Sequence, residues 1–364
     1  MKKWLMVTGG VIVLAACTGA DDEEVTDGAA DTPGEEQSEP VQTDSEGTVL
    51  AEDLQSPWNT IIHNEMAYIP TREGMIYVVE DGELTEQTVQ LEEDVLQESE
   101  SGLLGMVLHP GYQENKLAYL YHSYQSGDGI ANRIVQVSHD EDEGTWSEEM
   151  ALVDEIPGAG IHNGGRLAIG PDDKLYATTG DAAEPDYAQD EENLAGSILR
   201  MELDGAVPED NPFTNSIVYS YGHRNPQGLA WLSDNKMYSS EHGQTGHDEI
   251  NLIEAGNNYG WPEIEGDEMM DGMETPIIHS GNDTWAPSGI AVHNDQLYIA
   301  GLRGEAVFQF NPANEGGLNT VIEDYGRVRD VTVVANSLYF ITNNTDGRGV
   351  PSDTDDRLIE WQLE

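Results

Sequence analysis

A short strand opened by polar residues and carrying a tyrosine recurs six times along this chain. It reads Glu65-Met66-Ala67-Tyr68, Lys116-Leu117-Ala118-Tyr119 and Asp173-Lys174-Leu175-Tyr176, then Asn235-Lys236-Met237-Tyr238, Asp295-Gln296-Leu297-Tyr298 and Asn336-Ser337-Leu338-Tyr339. The tyrosines lie 51, 57, 62, 60 and 41 residues apart. A second strand-like run follows each copy: Met75–Val79, Arg133–Val137, Ile198–Leu203, Glu249–Ile253, Ala306–Phe310 and Arg357–Leu363. A period of about forty to sixty residues with several strands in each is the pattern of a β-propeller blade. The expectation is an all-β fold, a six-bladed β-propeller. Its ring should close by pairing a strand near Thr48–Ala51 with the blade that the C-terminus finishes. A β-sandwich with coincident tyrosines is the alternative. A helical solenoid would need long amphipathic helices, and the pattern has none.

The N-terminus reads as an address. Lys2 and Lys3 precede an apolar run, Trp4 to Ala16, that is too short to span a bilayer and suits the core of a signal peptide. It ends in Leu14-Ala15-Ala16-Cys17, which resembles the lipobox of bacterial lipoproteins, and Cys17 is the one cysteine of the chain. The resemblance implies cleavage before Cys17 and a lipid on its sulfur, hence an extracytoplasmic protein that meets the membrane only through that anchor. A plain secretory signal is the alternative. Residues 18–47 carry eleven acids and no base, so residues 17–47 are expected to be a disordered, self-repelling tether. The divisions are therefore 1–16 signal peptide, 17–47 tether and 48–364 propeller.

Charge excludes one class of partner. With 15 basic and 70 acidic residues the net charge is −55, and no basic stripe exists to replace the counterions of nucleic-acid phosphates. One cysteine excludes a disulfide framework and a cysteine zinc site. The acidic excess runs through the body as well as the tether, and salt would screen its self-repulsion. A saline habitat is the expectation.

In so acidic a body the few arginines stand out. Arg224 lies in Tyr221-Gly222-His223-Arg224-Asn225-Pro226-Gln227-Gly228, Arg303 in Gly301-Leu302-Arg303-Gly304, and Arg327 and Arg329 in Arg327-Val328-Arg329-Asp330. Guanidinium groups bind carboxylates bidentately and stay charged when desolvated. Together they could grip a polycarboxylate. Alternatively each pairs with a local acid, as Asp330 beside Arg329 suggests. His162, before Gly164 and Gly165, suits a general base on an open backbone, or a histidine stacked in a turn. The stretch Ser240 to Glu249 offers carbonyls and the carboxylates of Asp248 and Glu249, hard oxygen ligands that suit Ca2+. His242 and His247 could point to zinc, but no third nitrogen or sulfur ligand follows nearby.

These segments resemble the pyrroloquinoline-quinone (PQQ) dependent sugar dehydrogenases of the glucose/sorbosone dehydrogenase family, above all its aldose sugar dehydrogenase branch. The resemblance rests on Gly102-Leu103-Leu104-Gly105 with His109-Pro110, the stretch from His162 to Asp181, and Gly222-His223-Arg224-Asn225-Pro226-Gln227-Gly228. Asp248-Glu249-Ile250-Asn251-Leu252, Asn258-Tyr259-Gly260-Trp261-Pro262 and Arg327-Val328-Arg329-Asp330-Val331 add to it. It implies a six-bladed propeller and oxidation of the C1 hydroxyl of an aldose. It makes His162 the base, sets Arg224 and Asn225 beside the reactive carbonyls of the cofactor, and assigns Arg303, Arg327 and Arg329 to cofactor binding. The carbonyls of Gly243 and Gln244 would hold a Ca2+ on the cofactor. Glu249 and the carbonyl of Tyr259 would hold a second, structural Ca2+.

This chain also departs from the pattern. Glu100 stands at a cofactor-binding position where relatives often carry glutamine, so repulsion or a raised carboxyl pKa is expected. Ile161 replaces an acid before the base. The competing functions are a Ca2+-dependent lactonase and a non-catalytic cell-surface binding propeller. The partners implied are a small sugar and an electron acceptor that the sequence does not identify.

Overall fold

The computed structural model describes residues 47–314 and 316–363. The expected signal peptide, the lipidated Cys17 and the tether up to residue 46 lie outside them.

The described chain is built from four-stranded antiparallel meanders. The first comprises β2 (Ile61–His63), β3 (Met66–Pro70), β4 (Met75–Glu80) and β5 (Glu83–Gln90). The second has β6 (Leu103–Leu108), β7 (Leu117–Ser126), β8 (Gly129–Asp140) and β9 (Thr145–Gly158), with a single-turn helix α1 (Tyr112–Asn115) after β6. The third has β10 (Leu167–Ile169), β11 (Leu175–Thr179), β12 (Ser197–Met201) and β13 (Val218–Tyr221). The fourth has β14 (Pro226–Trp231), β15 (Met237–Glu241), β16 (Glu249–Ile253) and β17 (Ile278–His279). The fifth has β18 (Pro287–His293), β19 (Gln296–Gly301), β20 (Ala306–Phe310) and β21 (Asn319–Ile322). In the last, β22 (Val328–Val334), β23 (Ser337–Thr342) and β24 (Leu358–Gln362) are completed by β1 (Thr48–Ala51) from the other end of the chain. Ring closure is thus as expected, with Val49 opposite Ile359 and Ala51 opposite Leu358.

The repeat has a plain structural meaning. All six tyrosines sit on the second strand of their meander, and each following run is its third strand. First strands are covered on both faces and read as nearly unbroken apolar runs, such as Leu103 to Leu108. The outer strand β5 alternates exposed and half-buried residues, as a one-sided strand should. Six buried apolar clusters bridge successive meanders. One of them, Ala51, Leu54, Ala67, Ile69, Ile341 and Leu358 among its members, joins the last meander to the first. Near the axis the first strands come very close. A Cβ on Gly289 would collide with the Asp330 carboxylate, and one on Gly105 with the Gly165 carbonyl.

One feature lay beyond the sequence pattern. The first two meanders form a single eight-stranded sheet, because β5 pairs in parallel with β9 through Thr88–Thr145, Val89–Trp146 and Gln90–Ser147. The long β9 reaches past its own blade to do this.

Strand direction decides where loops emerge. In an antiparallel meander, the turn between second and third strands and the link from fourth strand to the next first strand leave from the same face. The turns between first and second strands, which precede the tyrosines, leave from the other.

Candidate active site

Nearly every candidate residue lies on that one loop face. The fourth-to-first links carry Trp58, Glu100, His162, Arg224 and Arg327, and Arg329 opens β22. The second-to-third turns carry Arg72, Asp181, His242, Arg303 and Arg348. Residues hundreds of positions apart therefore converge.

His162 is held in the left-handed region, at φ 58°. Its backbone is pressed against the end of β11, and a Cβ on Gly180 would strike its carbonyl. The imidazole Nδ1 lies 2.8 Å from Asp181 Oδ1. Asp181 is fully buried and also accepts hydrogen bonds from Ala183 N (2.8 Å) and Trp261 Nε1 (2.8 Å). A carboxylate that receives three donors fixes the imidazole proton on Nδ1 and leaves Nε2 with a free lone pair. Asn225 Oδ1 accepts the Gly164 N–H at 3.0 Å, and Asp181 N donates to the Arg224 carbonyl at 2.8 Å. The Arg224 guanidinium lies 5.3 Å from the Trp261 ring and donates to the His242 carbonyl at 3.2 Å.

The arginines divide into two groups. Arg166 meets Asp330 at 3.0 Å, Arg327 meets Asp346 at 3.1 Å, and Arg348 meets Glu100 at 2.9 Å. The guanidinium groups of Arg72, Arg224 and Arg329 meet no carboxylate among the described residues, although the Arg224 backbone N–H donates to Glu241. Arg329 does not pair with its neighbour Asp330, because successive residues of a strand point to opposite faces; Arg166 takes that carboxylate instead. Arg166 and Arg329 lie 4.5 and 4.9 Å from the ring of Trp58. Burial, and then the like charges of Arg166 and Arg72, push Arg329 down to about 9. The Nε atoms of Arg72 and Arg329 are buried and have no hydrogen-bond partner among the described residues. A buried donor without an acceptor is costly. These two therefore fit a bound polyanion such as PQQ, whose carboxylates would supply the missing acceptors. Arg303 stands apart: it is exposed, and its neighbour Leu302 offers the carbonyl that accepts Arg327 Nη1 at 3.1 Å.

Among the protein's own groups, the Glu100 carboxyl pKa lies below the usual range. Burial works against the charge, but Arg348 and the His162 N–H (3.2 Å to Oε2) outweigh it. The expected repulsion is answered by an arginine that sequence reasoning did not select.

The proposed ion ligands also assemble in part. Gly243, Glu249 and Tyr259 line one small cavity together with Glu241 and Glu265, while Gln244 is exposed beside it. Burial, then the Glu241 carboxylate, push the Glu249 pKa up. Glu265 Oε1 is buried and receives no donor among the described residues. Glu241 receives donors from His223, Arg224 N and Asn251, and Glu249 from Asn251 and Gly266 N. The crowding of three carboxylates and the donorless Glu265 Oε1 are therefore what suit a hard cation here. No three His, Cys, Asp or Glu side chains converge on one point among the described residues, so an ion here would draw on backbone carbonyls as well.

Sequence reasoning missed Asp181 as the partner of His162, and it missed Arg72, Trp58, Trp261, Asp346 and Arg348. Asp181 carried a signal, since it closes a Gly-Asp turn at the end of a strand. The others became visible only through contacts between blades.

Comparison with known proteins agrees with this geometry. The glucose/sorbosone dehydrogenase family profile matches residues 54–351. The PQQ-bound form of an aldose sugar dehydrogenase from Streptomyces coelicolor superposes with a TM-score of 0.82 at 37% identity, covering 88% of this chain and 99% of that one. An oxidoreductase from Thermus thermophilus, described as a glucose dehydrogenase, gives a TM-score of 0.80 at 35% identity, over 87% and 99%. Aldose sugar dehydrogenase YliI of Escherichia coli is 29% identical over 82% of this chain and 90% of its own length. The β-propeller and the resemblance read from the motifs are both upheld: this chain belongs to the glucose/sorbosone dehydrogenase family.

Proposed function

We propose that this chain is a PQQ-dependent sugar dehydrogenase that oxidises the C1 hydroxyl of an aldose to the lactone. The observation that carries the reading is the His162–Asp181 pair set beside arginines that lack acidic partners, on one loop face of an acidic protein. When bound, PQQ would supply the hydride acceptor and Ca2+ would supply Lewis-acid assistance to it, with the carbonyls of Gly243 and Gln244 as the groups that would hold the ion. His162 Nε2 takes the C1 hydroxyl proton while the C1 hydrogen leaves with its electron pair. Asp181 orients the imidazole and stabilises the imidazolium that forms. Arg72 and Arg329 would hold carboxylates of the cofactor, with Arg303 and Arg327 at the edge of that grip. Arg224 and Asn225 offer positive charge and an amide where negative charge develops. Glu249 and the carbonyl of Tyr259 would hold a structural Ca2+. The sugar class is the substrate, and the electron acceptor is a separate partner.

The experiment adds PQQ and Ca2+ to the purified protein and follows bleaching of an acceptor dye with glucose, galactose or a disaccharide. Sugar-dependent bleaching that disappears in His162→Ala supports the reading. Lactone hydrolysis without PQQ, or PQQ uptake without turnover, replaces it with a lactonase or a binding propeller. The localisation has its own test: incorporation of labelled fatty acid into the protein should be lost in Cys17→Ser, and equal labelling of both proteins would refute the anchor.

A further inference from the structure

Glu100 is an acid inside a site that should receive an acid. Both of its oxygens are occupied: Oε1 by Arg348 Nη2 at 2.9 Å, and Oε2 by the His162 N–H at 3.2 Å. Arg348 comes from the turn between β23 and β24, on a different meander from the β5–β6 link that carries Glu100.

That turn is held in place from several sides. Asp346 accepts Arg348 N at 2.9 Å through Oδ1 and Arg327 Nη2 at 3.1 Å through Oδ2. Asn344 accepts Arg327 N at 2.8 Å and donates to the Tyr325 carbonyl at 3.0 Å. Asp356 anchors Thr342 Oγ1 at 3.1 Å and receives Thr345 Oγ1 as well. Gly349 leaves no room for a Cβ, which would meet the Asn344 carbonyl at 2.6 Å. The Arg348 side chain therefore extends from a fixed base, although 49% of it is exposed.

We propose that Arg348 is a positioning residue that admits an acid at position 100 into an anion-binding site, by holding Glu100 on itself and on the His162 backbone. This rests on the cofactor reading given above and adds a residue to it. The Glu100 carboxylate also acts on the charges of Arg72 and Arg329, raising the pKa of both guanidinium groups against their burial. Without Arg348 the carboxylate would turn to them and occupy the donors that an anionic ligand needs. With Arg348 present those donors stay open.

The test measures the affinity of the apo-protein for PQQ in Ca2+ buffer, by quenching of tryptophan fluorescence. The proteins are the unmodified chain and the variants Arg348→Ala, Arg348→Lys, Glu100→Gln and the Glu100→Gln/Arg348→Ala double variant. Each is first shown to melt as the unmodified chain does. Arg348→Ala should bind PQQ about tenfold or more weakly, and Arg348→Lys should keep most of the affinity. The double variant should return to within about threefold of Glu100→Gln, because removing the acid removes the need for its counter-ion. A structural role alone would not produce that rescue. Unchanged affinity in Arg348→Ala, or a loss that Glu100→Gln does not rescue, overturns the proposal and leaves the cofactor reading standing. Failure of the unmodified protein to take up PQQ overturns both.

Discussion

His162 Nδ1 sits 2.8 Å from Asp181 Oδ1, and the carboxylate is buried beneath it. The imidazole comes from the link between the second and third meanders, and the acid from a turn within the third. The pair settles the tautomer of the histidine before any ligand arrives.

Replacing Asp181 by Asn keeps the shape and reverses the preferred tautomer. Asp181→Asn should lower kcat for sugar on the order of a thousandfold, with PQQ affinity little changed. Dye-reduction kinetics beside fluorescence titration would check it; equal losses in kcat and in PQQ affinity would count against the orienting role.

Arg329 and Arg327 should part company. Arg327 is engaged by Asp346 and by the carbonyls of Leu302 and Asn343. Arg329 is a buried cation without an acid, a cost to the fold at every pH below about 9. Arg329→Met should stabilise the apo-protein on the order of 2 kcal/mol while weakening PQQ binding. Arg327→Met should destabilise it by leaving Asp346 buried without its counter-ion. Urea melts of both variants decide the matter.

Burial pushes His122 down to about 4. Its folded value lies below the unfolded one of about 6.5, so the fold favours the neutral ring. The contribution is intact above pH 6.5 and is lost as the pH falls towards 4, worth about 3 kcal/mol at most. His122→Gln should therefore lose less stability than the unmodified chain between pH 7 and pH 4.5, read as the difference between their urea midpoints.

The Glu241, Glu249 and Glu265 carboxylates share one small cavity. A cation bound there stabilises the folded state alone, by about 2.7 kcal/mol at a hundredfold excess over Kd. Ca2+ should raise Tm, and Glu249→Gln should abolish most of the rise. An equal rise in both proteins would place the ion elsewhere.

With a net charge of −55, the chain is proposed to suit high salt. Raising NaCl from about 0.1 M to about 1 M shortens the Debye length to about 3 Å and should raise Tm. A flat or falling Tm would refute the saline-habitat reading.

The amino-acid sequence by itself determined the architecture. Tyrosine-bearing strands recur at a blade-sized period, and local alternation of apolar and polar residues is a one-dimensional signal. It placed Tyr68 through Tyr339 on recurring strands, which the structure shows to be second strands, and foretold that Thr48–Ala51 would close the ring. The family motifs likewise singled out His162, Arg224, Arg327 and Arg329. Only the tertiary structure decided how the charges pair. Asp330 answers Arg166 and not its neighbour Arg329, Asp346 answers Arg327, and Arg348 answers Glu100. Coulomb energy depends on distance through space, and a ring of blades brings together loops that the chain keeps far apart. Which arginines are left to meet an anion is therefore a property of the closed ring and not of any segment within it.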